Sequence, residues 1–155
     1  MAYASGTEVT IDRSKSELKR IVYKYGASNY KYAEEEDRAM VMFSKEARII
    51  RFVITFPPPE DKQFTHTPGR GTKRTQAAAY HEYEAEQRRR WRSLILAIKA
   101  KFELVESGIA SFEEEFLPYI LLPNKQTVAE MVLPNVADAY SKNKVQISLM
   151  PEVKK

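Results

Sequence analysis

Hydrophobic positions along this chain recur with two different periods, and the switches between them predict the order of elements. Glu8-Val-Thr-Ile11 alternates and predicts a short strand. Leu18, Ile21, Val22 and Tyr25 then fall at helical spacing. Ser14-Lys-Ser-Glu17 has the spacing of a capping box and predicts the start of that helix, and Gly26 predicts its end. Ser28 to Tyr32 is a short candidate strand. Arg38 to Phe43 and Arg48 to Phe56 are the clearest strands, rich in Val, Ile and Phe, and Ser44 to Ala47 is a link of hairpin length.

Pro57-Pro-Pro59 predicts the end of the sheet, because proline has no N–H for a ladder. From about 57 to 74 no period is present, and a mobile basic loop is expected there. Thr75 to Ser107 is helical by pattern and would be about 50 Å long at 1.5 Å per residue. Its Trp91, Leu94, Ile95, Ile98, Phe102 and Val105 form one apolar stripe. Trp91 belongs to that stripe and is expected to pack in the core rather than stack on a base. Gly108 predicts the stop, and Ser111-Phe-Glu-Glu114 predicts a second capping box, with Pro118 cutting or kinking the short helix behind it. Thr127 to Tyr140 predicts a last helix interrupted by Pro134, and Val145 to Leu149 predicts an extended segment. The expected fold is α+β: a small antiparallel sheet packed against a long helix, with C-terminal helices, in a single domain spanning 1–155.

Charge changes this picture from a plain fold to a directed surface. Between Asp61 and Lys101 ten Lys/Arg face four acids, whereas between Phe102 and Tyr140 Lys125 alone faces seven. So uneven a distribution, in a chain of net charge +4 and pI about 9.2, points to a polyanionic partner; a solvated polar helix face is the plainer alternative. Arg88, Arg92 and Lys99 lie in one helical row beside the apolar stripe, where long stems can lie on the core while the charged heads reach water. The loop His66-Thr-Pro-Gly-Arg-Gly-Thr-Lys-Arg74 adds Arg70, Lys73 and Arg74, on a backbone flexible enough to mould around phosphates. It is no Walker A loop, since the Gly-Lys-Ser/Thr ending is missing.

Tyrosines interleaved with cations supply the second candidate, in Arg20-Ile-Val-Tyr-Lys-Tyr25 and Tyr30-Lys31-Tyr32. Charge suits the backbone of single-stranded nucleic acid and ring faces suit its bases. Tyr30 and Tyr32 share one strand face, so the pair is expected to be exposed together as a stacking platform or buried together as core.

Catalytic chemistry finds little support. The chain has two histidines and no cysteine, which leaves no disulfide and no thiolate metal ligand. His81 and Glu84 are one helical turn apart, but a zinc site needs a third ligand. Glu34-Glu-Glu-Asp37 reads as a solvated acidic turn, and Lys45-Glu46 only faintly imitates a nuclease motif. No enzyme activity, metal or cofactor is expected. No secretory pattern opens the chain and no apolar run nears the roughly 20 residues of a membrane span, so a cytoplasmic protein without membrane association is expected.

Thr10-Ile-Asp-Arg-Ser-Lys-Ser-Glu17, Arg20 through Ala27, Arg38-Ala-Met-Val-Met-Phe43, Arg51-Phe-Val53 and Phe64 through Thr72, with the Arg-Trp-Arg helix that follows, resemble a set of small uncharacterised phage and prophage proteins. The resemblance covers about two thirds of the chain and implies a phage setting, hence the bacterial host cytoplasm, without an activity. The expected function is phage-type nucleic-acid binding without catalysis, single-stranded DNA ahead of duplex or RNA. The alternative is a protein-interaction module that inhibits or redirects a host machine, an anti-defence factor docking a host protein. Apolar surface beside the long helix would allow a homodimer.

Overall fold

A computed structural model describes residue 4 and residues 6–142; the extended segment expected at 145–149 lies outside them. Residues 8–11 form no strand: helix α1 runs Ile11–Lys24, and Thr10, with extended φ/ψ, accepts from the Arg13 N–H as its N-cap. Ser14, expected to cap, sits inside α1 and is fully buried. The Ser-x-x-Glu spacing was right for a box, but the apolar face already includes Ile11, which extends the helix one turn further back.

Gly26, at φ 79°, turns the chain into the sheet. Strands β1 (Ser28–Glu34), β2 (Arg38–Lys45) and β3 (Arg48–Thr55) form an antiparallel meander in the order β1-β2-β3. Glu46 and Ala47, both at positive φ, make the two-residue turn of the second hairpin. Register places Tyr32 beside Val41 and Val41 beside Phe52, on the face carrying Ala39, Phe43 and Ile50. Lys31, Met42 and Arg51 lie in one row on the other face. Both β2 and β3 alternate, with one face buried, as the composition of these two expected strands allows.

Two short pieces, α2 (Lys62–Thr65) and the helical stretch α4 (Phe112–Phe116), flank the long helix α3 (Gln76–Glu106). Thr75 caps α3 by accepting from the Ala78 N–H, and Gly108 lies past its end at φ 74°. The capping box expected at Ser111 and Glu114 is present in both directions. After Pro118 the chain passes through a 3-10 turn, Leu117–Tyr119, and Leu121 donates to the Ile49 carbonyl at 2.8 Å, covering part of the β3 edge.

The core lies between the sheet and the α1–α3 layer. Trp91, Ile95, Ile98 and Phe102 of α3 meet Val41, Phe43, Ile50 and Phe52 of the sheet. Phe102, Phe112 and Phe116 close one end as an aromatic cluster with centroid spacings of 4.8–4.9 Å along the chain of contacts through Phe116. Each such fully buried side chain contributes on the order of 1.5–3 kcal/mol.

The last helix, α5 (Val128–Ser141), runs unbroken through Pro134, where an interruption was expected. Pro134 is the seventh residue of α5, so it removes the N–H that would bond the Glu130 carbonyl, and the helix continues past this one missing bond. None of its side chains is buried, and Arg51 ties it to the sheet by donating to both Glu130 carboxylate oxygens at 3.0 and 2.8 Å. Among the described residues no helix is long and apolar enough to cross a membrane.

Candidate nucleic-acid interface

Helices α1 and α3 pack side by side in the same direction. The Lys15 ammonium lies 5.3 Å from the Trp91 ring, Glu17 reaches Arg92, and Tyr25 stacks on Phe102 at 4.9 Å with the planes 2° apart. The Tyr25 hydroxyl donates to Glu103, and that bond to a carboxylate raises the phenol pKa above its ordinary value. These contacts climb both helices together, leaving a long seam open to solvent.

Cations line that seam. Arg13, Arg20 and Lys24 stand at i, i+7 and i+11 on α1, all exposed. With Arg92 of α3 they border a cleft of about 490 Å³ whose one acid is Glu17. Arg92 Nη1 lies 2.5 Å from Glu17 Oε2, so this acid is already paired. Lys99, exposed and with no ion-pair partner among the described residues, follows Arg92 by two turns on the same row, before Glu103. Tyr23, 46 % exposed, lies one turn beyond Arg20 on the outer face of α1.

The other residues singled out in the sequence are not brought to this seam. Arg88 lines a separate cleft of about 540 Å³ together with Lys15 and four acids, Asp12, Glu34, Glu35 and Glu84; that balance repels phosphate. Arg89 and Arg90 both bind Glu86; burial alone would raise the Glu86 pKa, but the two guanidinium groups outweigh it and lower it. Arg74 donates from one Nη1 to the carbonyls of Gln63, Phe64 and His66 at 3.1, 2.9 and 2.6 Å, so it holds a fold together. Arg70 and Lys73 are exposed in the hairpin that Arg74 anchors.

Tyr30, Lys31 and Tyr32 also separate. Asn29, at φ 55°, sits where the β1–β2 register shifts between Ser28 and Lys31. Tyr30 packs against the core, its hydroxyl buried without a partner and its pKa pushed up to about 12, by burial first and by Tyr32 second. Tyr32 is 53 % exposed, with the Lys15 ammonium 4.8 Å from its ring. Lys31 is on the opposite sheet face. The two rings are therefore neither exposed together nor buried together, and a cation already occupies one face of Tyr32.

Arg13, Arg20 and Lys24 were legible as a helical row, but only with the helix start placed at Ile11. Among the described residues no group of three or more His, Asp or Glu could hold a metal ion. No family model, curated protein or solved structure matches this chain.

Proposed function

We propose that this protein binds single-stranded nucleic acid along the α1–α3 seam, without catalysing a reaction on it. The observation that carries the reading is the row of Arg13, Arg20 and Lys24 facing Arg92 across one cleft, extended by Lys99. Cations at helical spacing follow a phosphate backbone and need no sequence. Tyr23 adds an exposed ring beside Arg20, which favours unstacked bases over a closed duplex.

The test is a titration of labelled oligothymidine into the protein at several salt concentrations. Each phosphate neutralised on a single strand contributes about −0.7 to the slope of log affinity against log salt, so four to five seam contacts give roughly −3. Arg13→Glu, Arg20→Glu and Lys24→Glu combined should abolish binding of short strands with an unchanged circular dichroism spectrum, since all three side chains are exposed. Salt-independent binding, or wild-type affinity in the folded triple variant, would remove the seam as the site.

A further inference from the structure

The stretch expected to be a mobile basic loop, 57–74, contains a small built framework. Asp61 caps α2 by accepting from the Gln63 N–H at 3.0 Å, and Phe64 is buried edge-on against Tyr83 with centroids 5.5 Å apart. Beyond it the chain doubles back: His66 bridges to Lys73, and Thr67 N–H donates to the Thr72 carbonyl at 2.8 Å. Thr72 N–H returns to Thr67 Oγ1 at 3.0 Å, and the Arg74 guanidinium holds three carbonyls at the base. The hairpin is held in shape by its own backbone, and the charge of Arg74 is spent on doing so.

At its tip the sequence is Gly69-Arg70-Gly71. Both glycines have positive φ, 81° and 64°, and a Cβ on either would meet no heavy atom within 4 Å. Glycine is needed there for conformation, and the result is a slim tip on which Arg70 is the only long side chain. Arg70, Lys73 and Lys62 are exposed and lack ion-pair partners among the described residues, and Asp61 is used in the cap.

We propose that the 66–73 hairpin is a second, preformed contact for the nucleic-acid backbone, with Arg70 and Lys73 gripping phosphate. The proposal rests on the seam reading for its ligand, but the site is a different one. Phe64 seats the hairpin on Tyr83, and Tyr83 is nine residues, about two and a half turns, before Arg92. The hairpin and the seam therefore lie on opposite flanks of α3, separated by about 14 Å along its axis. A short strand reaches one of them and a longer strand reaches both. Because the hairpin is shaped before binding, little ordering entropy is lost when it closes on phosphate.

The experiment compares wild type, Arg70→Ala with Lys73→Ala, and the seam triple variant on oligothymidines of ~4 to ~30 nucleotides, a range covering the roughly 4–16-nucleotide site size of a single OB fold. The hairpin variant should match wild type on the shortest strands. On the longest it should lose ~10-fold in affinity and about 1.4 from the salt slope, two contacts at 0.7 each. Loss of long-strand binding in the hairpin variant supports the hairpin even if the seam variant binds normally, which would count against the seam alone. Wild-type affinity of the hairpin variant at every length overturns the hairpin while leaving the seam intact. Failure of the wild type to bind any strand overturns both.

Discussion

Arg92 Nη1 stands 2.5 Å from Glu17 Oε2 across the α1–α3 seam, with the two side chains 23 % and 27 % exposed. The pair joins the helices and at the same time withholds one cation from the cleft. Being partly hydrated, it is worth no more than about 1 kcal/mol to the fold.

Replacing Glu17 by Gln should therefore strengthen nucleic-acid binding while lowering stability by less than ~1 kcal/mol. The freed guanidinium adds one phosphate contact, and the salt slope should steepen by about 0.7. Anisotropy titrations of both proteins at matched salt measure this; an unchanged slope would mean that Arg92 faces no phosphate.

The start of α1 gives a second prediction. Thr10→Ala removes the side chain that accepts from the Arg13 N–H and should cost about 1 kcal/mol. Ser14→Ala removes a buried hydroxyl that has no partner and installs a better helix former, so it should be neutral or stabilising by up to ~1 kcal/mol. Urea denaturation ranks the two. The reverse ranking would return the helix start to Ser14.

The third prediction sets Tyr30 against Tyr23. Tyr30→Phe deletes a buried, unpartnered hydroxyl and should stabilise by about 1 kcal/mol with no change in oligonucleotide affinity. In an ultraviolet alkaline titration the variant should lose a phenol that ionises late, near pH 12. Tyr23→Ala should leave the melting temperature within a degree or two of wild type yet weaken single-strand binding about tenfold. Loss of affinity in Tyr30→Phe instead would mean that its hydroxyl contacts the strand.

The sheet and the long helix were legible because each buries one face. Ile50 and Phe52, and Trp91 through Phe102, announce themselves by period alone. Arg74 could not be read that way. Its partners are three main-chain carbonyls eight to eleven residues back, and a sequence shows it only as one more cation. Tyr30 and Tyr32 share the core-side face as their spacing implies, but they differ in exposure: Tyr30 packs on the core while Tyr32 is 53 % exposed beside Lys15, a difference set by what lies over the strand and not by its period. The seam was half legible. The row on α1 follows from spacing, but that α1 lies parallel to α3, with Glu17 opposite Arg92, is a tertiary fact.

Helix α3 is buried unevenly along its length. All four of its fully enclosed side chains, Trp91, Ile95, Ile98 and Phe102, lie from its midpoint onward. The first half is held by Phe64 against Tyr83 and by Arg90, whose Nη1 donates to the Thr55 carbonyl at 2.6 Å. One continuous rod thus serves two cooperative units of unequal depth. In deuterated water the amides of residues 91–102 should exchange only through global unfolding, while those of 76–83 and the hairpin exchange through a cheaper local opening that leaves the sheet intact. Breathing of this kind would let the hairpin release a bound strand while the seam still holds it.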